Sequence, residues 1–401
     1  MALNQPARLP WGFLGFALIA IAAFVAFQDS PLLEDELVHY PQIVTFARGY
    51  SRLDPRLTTI PGYHALLGAI AWAVGALSPT AIRLFNFVVG LGALAVFHSV
   101  AKALHARNPA TVTLQLAFLP IAFPLLFLIY TDITSLFFVL LMVLSAVKKR
   151  PRRAGLFGLL ACLVRQTNVV WVVFVLLWSY VEENGWTWAP ARESLRKYWV
   201  FLLTLLFFVA FVILNRGVAL GDQGAHPVSA LHLGNVFFLL FLSFFLFLPI
   251  FWARRSEALR LLRSGRSWLG LVVLFAAFWF GFAVDHPYNV QWGERFMRNA
   301  LLIFVSSSWI WKLGFFVPVA LAALSLGVVR LRSHWWLVYP FTVVFLVPAW
   351  LIEQRYYLIP LTLFLLARMP LDDFVERTQV AWFFALSLAV FIVVERGWMF
   401  M

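Results

Sequence analysis

The stretch WGFLGFALIAIAAFVAF (Trp11–Phe27) followed at once by QDSPLLEDELVHYP (Gln28–Pro41) decides how the chain is read. Seventeen uncharged apolar residues have the length of a membrane crossing. Glu34-Asp35-Glu36 then places three carboxylates at the surface that the crossing reaches. Carboxylates beside lipid are costly unless they face water, a partner or a substrate, so the loop predicts chemistry or ion handling at a membrane surface. Arg8 precedes the apolar run as in a signal peptide, but no small-residue cleavage site follows it, and Trp11–Phe27 is expected to be a retained first span.

Working outward, the whole chain has the same character. It is 63% hydrophobic, 17% aromatic and only 12% charged, with a mean hydropathy of +0.87. That composition excludes a soluble domain and predicts an all-α polytopic membrane protein. At 17 to 25 residues per crossing, about twelve to fourteen transmembrane helices are expected. The net charge of +13 does not point to nucleic acid, because the basic residues fall in short clusters between apolar stretches, as at Lys148-Lys149-Arg150, Arg152-Arg153 and Arg254-Arg255. Most acidic residues and histidines fall at the alternate loops, which predicts that these loops lie outward. Two further segments, His64 to Leu77 and Met297 to Trp311, are apolar but short and are expected to be interfacial or re-entrant. The loops are too short to fold alone, so residues 1–401 read as one membrane domain, with 28–79 an outward loop carrying the acidic residues and interfacial helices. The single cysteine, Cys162, allows no internal disulfide and no multi-cysteine metal site.

Polar residues interrupt the apolar stretches at a few places. On a helix beginning near Leu33, Asp35 and His39 share one face and Glu36 and Tyr40 a neighbouring one. Like charges at Glu34 and Glu36 are expected to raise the pKa of Asp35 and make it a better base; an acidic first turn stabilised by the helix dipole is the alternative. Tyr130-Thr131-Asp132 and Arg165-Gln166-Thr167-Asn168 interrupt two long runs. The first also suits a helix cap; in the second, Arg165 suits either a phosphate or a snorkelling role. Gly221-Asp222 with His226, Asp285-His286-Pro287-Tyr288 with Glu294-Arg295, and Glu353-Gln354-Arg355-Tyr356 form further outward loops. Arg355 is a candidate anion ligand, because guanidinium groups bind phosphate oxygens bidentately, or else an internal partner of Glu353. His226 and His232 lack the spacing of a metal site. Outward carboxylates near several arginines suit either group transfer from a lipid phosphate or transport of an organic anion.

Asp35-Glu36-x-x-His39-x-Pro41-Gln42 and Asp54-Pro55-x-x-Thr58-Thr59-x-Pro61-Gly62 resemble the opening of the alpha-1,2-glucosyltransferase family of asparagine-linked glycosylation. The resemblance continues in order through Tyr130-Thr131-Asp132, Arg165-Gln166-Thr167-Asn168, Gly221-Asp222 with His226, His286-Pro287-Tyr288 and Glu353-x-Arg355-Tyr356. The chain departs from the family pattern after Tyr288, where Gln291-Trp292-Gly293-Glu294-Arg295-Phe296 replaces a more polar element. The resemblance implies a GT-C type membrane glycosyltransferase that moves glucose, with inversion, from a polyprenyl-phosphate donor to a lipid-linked oligosaccharide. It implies Asp35 as base with Glu36 in reserve, and Arg355, Arg165, His286 and Arg295 on the donor phosphate. It further implies His39, Asp54, Thr58, Thr59, Asp132, Gln166, Asn168, Asp222, His226, Tyr288, Glu353 and Tyr356 as acceptor and substrate contacts. No cofactor or metal is required. The expected partners are the lipid-linked donor, a lipid-linked or other glycan acceptor and membrane lipid. The site would face the endoplasmic-reticulum lumen in a eukaryote and the periplasm or exterior in a prokaryote. Two alternatives stay open: a GT-C transferase for mannose, arabinose or an amino sugar, or for another acceptor, and a membrane transporter or scaffold.

Overall fold

A computed structural model describes residues 11–187, 191–224 and 231–400. Among these residues the chain is all helical and no strand is present. Four helices are long and apolar enough to cross a membrane unaided: Pro79–Ala103, Arg192–Asn215, Trp309–Val328 and Asp373–Glu395. Arg255–Leu261 and Gly265–Gly281 add a fifth crossing if the pair, bent by 90°, is taken as one span. Large apolar side chains on these helices lie open, among them Phe280, Ile213 and Leu214. In a chain so apolar throughout, such surface is lipid-facing. The protein is a multi-pass integral membrane protein.

The apolar stretches counted in the sequence are not all single crossings. Several are broken where the backbone loses its hydrogen-bond register. The stretch over 112–129 is two helices, Pro109–Ala117 and Ala122–Leu125. That over 231–252 breaks ahead of Pro249 into Gly234–Leu246 and Leu248–Ala253, since proline lacks an amide donor and clashes with the preceding turn. Leu358–Ala367 is buried at every residue, so it lies inside the protein rather than against lipid. Phenylalanines fill the core beside it, as where Phe247 meets Phe364 edge-on at 5.0 Å. Against lipid tails as apolar as leucine, close packing of this kind holds helices together.

Two features position the polar groups. The helices Glu36–Ala47 and Gly62–Val74 are each roughly 18–20 Å long at 1.5 Å per residue, short of the ~30 Å hydrocarbon core. Thr131–Val147 and Pro151–Val164 are neighbours joined by a tight turn at Lys148–Arg150. Asp132 opens the first helix and Arg165 follows the second, so the hairpin brings these two polar residues to one end. It leaves the basic turn at the other.

Candidate active site

Asp35 caps the N-terminus of the helix Glu36–Ala47. Its amide donates to the Tyr130 hydroxyl at 3.3 Å, and its carboxylate accepts from Arg355 Nη1 at 2.8 Å. Arg355 is the hub of a larger cluster. Its Nη1 stands 3.8 Å from Asp132, its Nη2 donates to Glu353 at 3.4 Å, and its guanidinium lies 4.8 Å from the centre of the Tyr130 ring. Asp132 also accepts from Arg165, which lies over Tyr356. Glu353 pairs with Arg298 at 2.8 Å, which rests on the Phe296 ring.

Three carboxylates and three guanidinium groups thus alternate in one network, with a formal charge of zero. Exposure differs sharply across it: the side chains of Asp132 and Glu353 are 3% and 2% exposed and that of Arg355 is 14%, whereas that of Asp35 is 46%. Asp35 is the open end. Asp132 Oδ2 and Glu353 Oε1 are buried and have no hydrogen-bond donor among the described residues, which leaves both oxygens open to a donor from water or a ligand.

The pKa expected for Asp35 is reversed. Burial pushes its carboxyl up, but the neighbouring Arg355 guanidinium, with His39 and Arg165 behind it, outweighs burial and holds it down at about 2. The negative neighbours invoked from the sequence are otherwise engaged. Glu34, in a left-handed backbone conformation (φ 49°), pairs with Arg295. Glu36 is fully buried and turned into the protein, where its Oε1 accepts from Arg83 Nε at 3.0 Å and its Oε2 from Arg83 Nη2 at 2.7 Å. Its remaining acceptor sites take the amides of Leu33 and Ile129, each at 2.9 Å. Arg83 also donates to the carbonyls of Phe27, Gln28, Ser30 and Pro31. The pair therefore ties the end of the helix Trp11–Phe27 to the helix Glu36–Ala47, and Glu36 has no acceptor site left for a substrate proton. Nor does it meet Tyr40, whose hydroxyl donates to the Leu77 carbonyl at 2.8 Å.

The other residues singled out in the sequence fall into distinct places. His39 packs its ring edge-on to Tyr130 and shares a hydrogen bond with His64, Nδ1 to Nε2, at 2.9 Å. Burial lowers it to about 4 against the opposing pull of Asp35, so the imidazole is neutral at pH 7. Gln166 is a staple: its Nε2 donates to the carbonyls of Thr58 and Val218, and its Oε1 accepts the Ile60 amide. Asn168 clamps Ser135 and the Ala161 carbonyl. Asp54 is held by Arg56, and its amide donates to the Gln42 side-chain oxygen at 2.7 Å. Thr59 Oγ1 is buried with no hydrogen-bond partner among the described residues.

Tyr288 donates to Asp222 at 3.0 Å, and His286 accepts the Tyr288 amide beside Trp350. His226 lies outside the described residues. The loop register depends on two glycines. A Cβ on Gly62 would stand 2.4 Å from the Leu163 carbonyl oxygen, and one on Gly221 2.2 Å from that of Pro55. Without side chains, the Leu220 and Gly221 amides donate to the carbonyls of Thr58 and Leu57.

Sequence reasoning missed the groups that hold the Glu353 loop. Asn235 donates to the carbonyls of Ala349 and Leu351 and accepts from the Glu353 amide and the Tyr357 hydroxyl. Asn289 joins Asn299 and both backbone groups of Ile352. The available signal was each asparagine's place beside an apolar run, where an amide is costly unless fully bonded. No group of three or more metal-ligating side chains is found among the described residues.

The model of the DIE2/ALG10 family matches residues 29–187 and 177–366, a range that contains the entire charge cluster. Among curated proteins, the chain is similar to three named Dol-P-Glc:Glc(2)Man(9)GlcNAc(2)-PP-Dol alpha-1,2-glucosyltransferase. The mouse protein is 26% identical over 56% of this chain and 61% of its own length. The rat protein is 25% identical over 84% of each chain, and the Arabidopsis thaliana protein 25% over 83% of this chain and 85% of its own. The chain thus spans about three-fifths of the length of the mouse relative. No solved structure matches.

Proposed function

The chain belongs to the DIE2/ALG10 family, and from that premise we propose that it transfers glucose from a polyprenyl-phosphate donor to a lipid-linked oligosaccharide, in alpha-1,2 linkage, on the outward face of its membrane. The reading is supported by the names of its relatives. The single observation that carries the mechanism is the open Asp35 carboxylate paired with Arg355 at the mouth of a buried, balanced charge cluster.

The acceptor hydroxyl attacks the anomeric carbon from the face opposite the phosphate. A carbon–oxygen bond forms there, the bond to the phosphate oxygen breaks with its electron pair, and Asp35 takes the hydroxyl proton. Configuration inverts. The leaving phosphate gains a negative charge, which Arg355 and Arg165 meet in a partly water-excluded site, where fixed donors are worth most. Arg295, its side chain half exposed, is a further ligand on the open side, and His286, buried beside Trp350, is one from within the fold.

The Asp35–Arg355 pair couples donor binding to base strength. In the donor-free cluster Arg355 holds Asp35 at about 2, a poor base. Donor phosphate draws Arg355 from the carboxylate and removes the main force holding its pKa down, so Asp35 rises toward the range useful for proton transfer. Asp132 Oδ2 and Glu353 Oε1, which lack donors, are suited to accept sugar hydroxyls. Glu36 is assigned to structure rather than to proton transfer.

The test is transfer of labelled sugar from synthetic polyprenyl-phosphate-glucose to a lipid-linked oligosaccharide by the purified chain in detergent. Polyprenyl-phosphate-mannose and -arabinose run in parallel. Transfer from the glucose donor alone supports the proposal; transfer from another donor alone reassigns the sugar. No transfer from any of them overturns the reading.

A further inference from the structure

The face opposite Asp35 carries a second charged cavity, with no part in the transfer chemistry. The turn after Thr131–Val147 and the start of Pro151–Val164 bring Arg150, Arg152 and Arg153 together, and the helix Arg192–Asn215 adds Arg196 and Lys197. These line a cavity of about 460 Å³ in which Glu193 is the one carboxylate. Lys197 is bonded to Glu183. The four arginines have neither an ion pair nor a side-chain hydrogen bond among the described residues.

A second cavity, of about 400 Å³, shares Pro151 and Lys197 with the first. Its walls include Leu104, Val147, Trp178 and Tyr198, with Glu182 and Glu183 at its polar edge. Both volumes suit a small-molecule site. An excess of cations on one side of a membrane is a general topological signal. That signal does not call for four unpaired guanidinium groups from two helices around one concavity, nor for a second chamber beside them with one apolar wall. Guanidinium forks match phosphate oxygens, and the adjoining apolar wall matches hydrocarbon. A free phosphate would use only the first cavity.

We propose that this paired cavity binds an anionic membrane lipid, with the phosphate headgroup on Arg150, Arg152, Arg153 and Arg196 and part of an acyl chain in the adjoining chamber. The experiment uses the full chain in nanodiscs of mixed phosphatidylcholine and phosphatidylglycerol, with lipid retained after delipidation identified by native mass spectrometry. Preferential retention of phosphatidylglycerol by the wild-type chain is expected; equal retention of the two lipids overturns the proposal, with no variant needed. Arg152→Gln/Arg153→Gln/Arg196→Gln is expected to lower retention roughly fivefold per charge removed. Arg260→Gln/Arg263→Gln, outside the cavity, is expected to leave it unchanged. Equal losses in the two variants would mean diffuse surface charge and overturn the site. Inorganic phosphate is expected to compete far less well than short-chain phosphatidylglycerol, and equal competition would make this a phosphate site and overturn the lipid assignment.

Discussion

Asp35 and Glu36 are adjacent carboxylates with opposite environments, and neutralising each in turn separates chemistry from structure. In Glu36→Gln the amide retains a single acceptor oxygen. Arg83, fully buried with its four carbonyl partners around it, is left without a counter-charge. Removing one member of a buried pair costs about 3–5 kcal/mol; the carbonyls that still surround Arg83 favour the lower end. That is a large part of a typical folding stability of about 5–15 kcal/mol. Asp35→Asn, by contrast, removes a half-open carboxylate and keeps an oxygen for Arg355, so its stability change is about 1 kcal/mol or less, as for exposed pairs, while loss of a general base costs about 10²–10⁴ in rate. The assay pairs the thermal midpoint of monodisperse protein, followed by fluorescence-detected size exclusion, with the initial transfer rate per folded molecule. Asp35→Asn is expected to hold its midpoint and lose its rate. Glu36→Gln is expected to lose its midpoint and, below that midpoint, keep most of its rate per folded molecule. The reverse pattern, a stable and inactive Glu36→Gln beside an active Asp35→Asn, would refute the assignment of both residues.

On the proposed mechanism Asp35 must be deprotonated to act, and its free-enzyme pKa of about 2 keeps it so through the acid range. The acid limb that it imposes on kcat/KM therefore lies below the ordinary aspartate value of ~3.9, while that on kcat, measured with Arg355 drawn to the donor, lies higher; a shared limb in the two pH profiles would contradict the coupling. Arg355→Lys, which loses the planar fork, is expected to lose transition-state stabilisation approaching the roughly 2.7–4 kcal/mol typical of a fixed donor, read as a fall in kcat with the midpoint retained. Gly221→Val is expected to release the 57–58 and 220–221 pairing to limited proteolysis and reduce transfer, while Gly224→Ala, which meets nothing within 4 Å, leaves both unchanged. Cysteines introduced at Gln223 and Ser264, in a Cys162→Ala background, are expected to label from opposite sides of the membrane, Gln223→Cys from outside.

Polar interruptions were the most legible part of the fold, because an apolar chain gives each of them a cost and hence a reason. Asp132 and Arg165 were each readable as the end of an apolar run, and a hairpin of two similar helices brings such ends together. Glu353 and Arg355 could likewise be read as one outward turn. The number of crossings was less legible: composition marks Leu358–Ala367 and Trp309–Val328 alike as apolar, but only packing makes the first a core helix and the second long enough to span. Least legible was the choice of partner. Asp35 and Glu36 differ by one position, hence by roughly 100° around a helix, and that angle sends one toward Arg355 and the other to Arg83, 47 positions along the chain. Nothing local distinguishes them, so the expected effect of Glu36 on the Asp35 pKa was cancelled by a cation recruited from another helix.

That division of labour bears on the charge balance of the reaction. Because Arg83 neutralises Glu36 and Arg295 neutralises Glu34, neither loop carboxylate adds net charge to the cluster, and Asp35, Asp132 and Glu353 face Arg165, Arg298 and Arg355 at parity. A donor phosphodiester then enters a site with no net repulsion, but only by competing with Asp35 for Arg355. In the proposed step, as the bond to the phosphate breaks, the phosphate gains a second charge while Asp35 loses its own by taking a proton. The negative charge moves from carboxylate to phosphate across a single guanidinium, and the total within the cluster does not change. A site of this kind needs little reorganisation during the step, the condition under which fixed charges stabilise a transition state most.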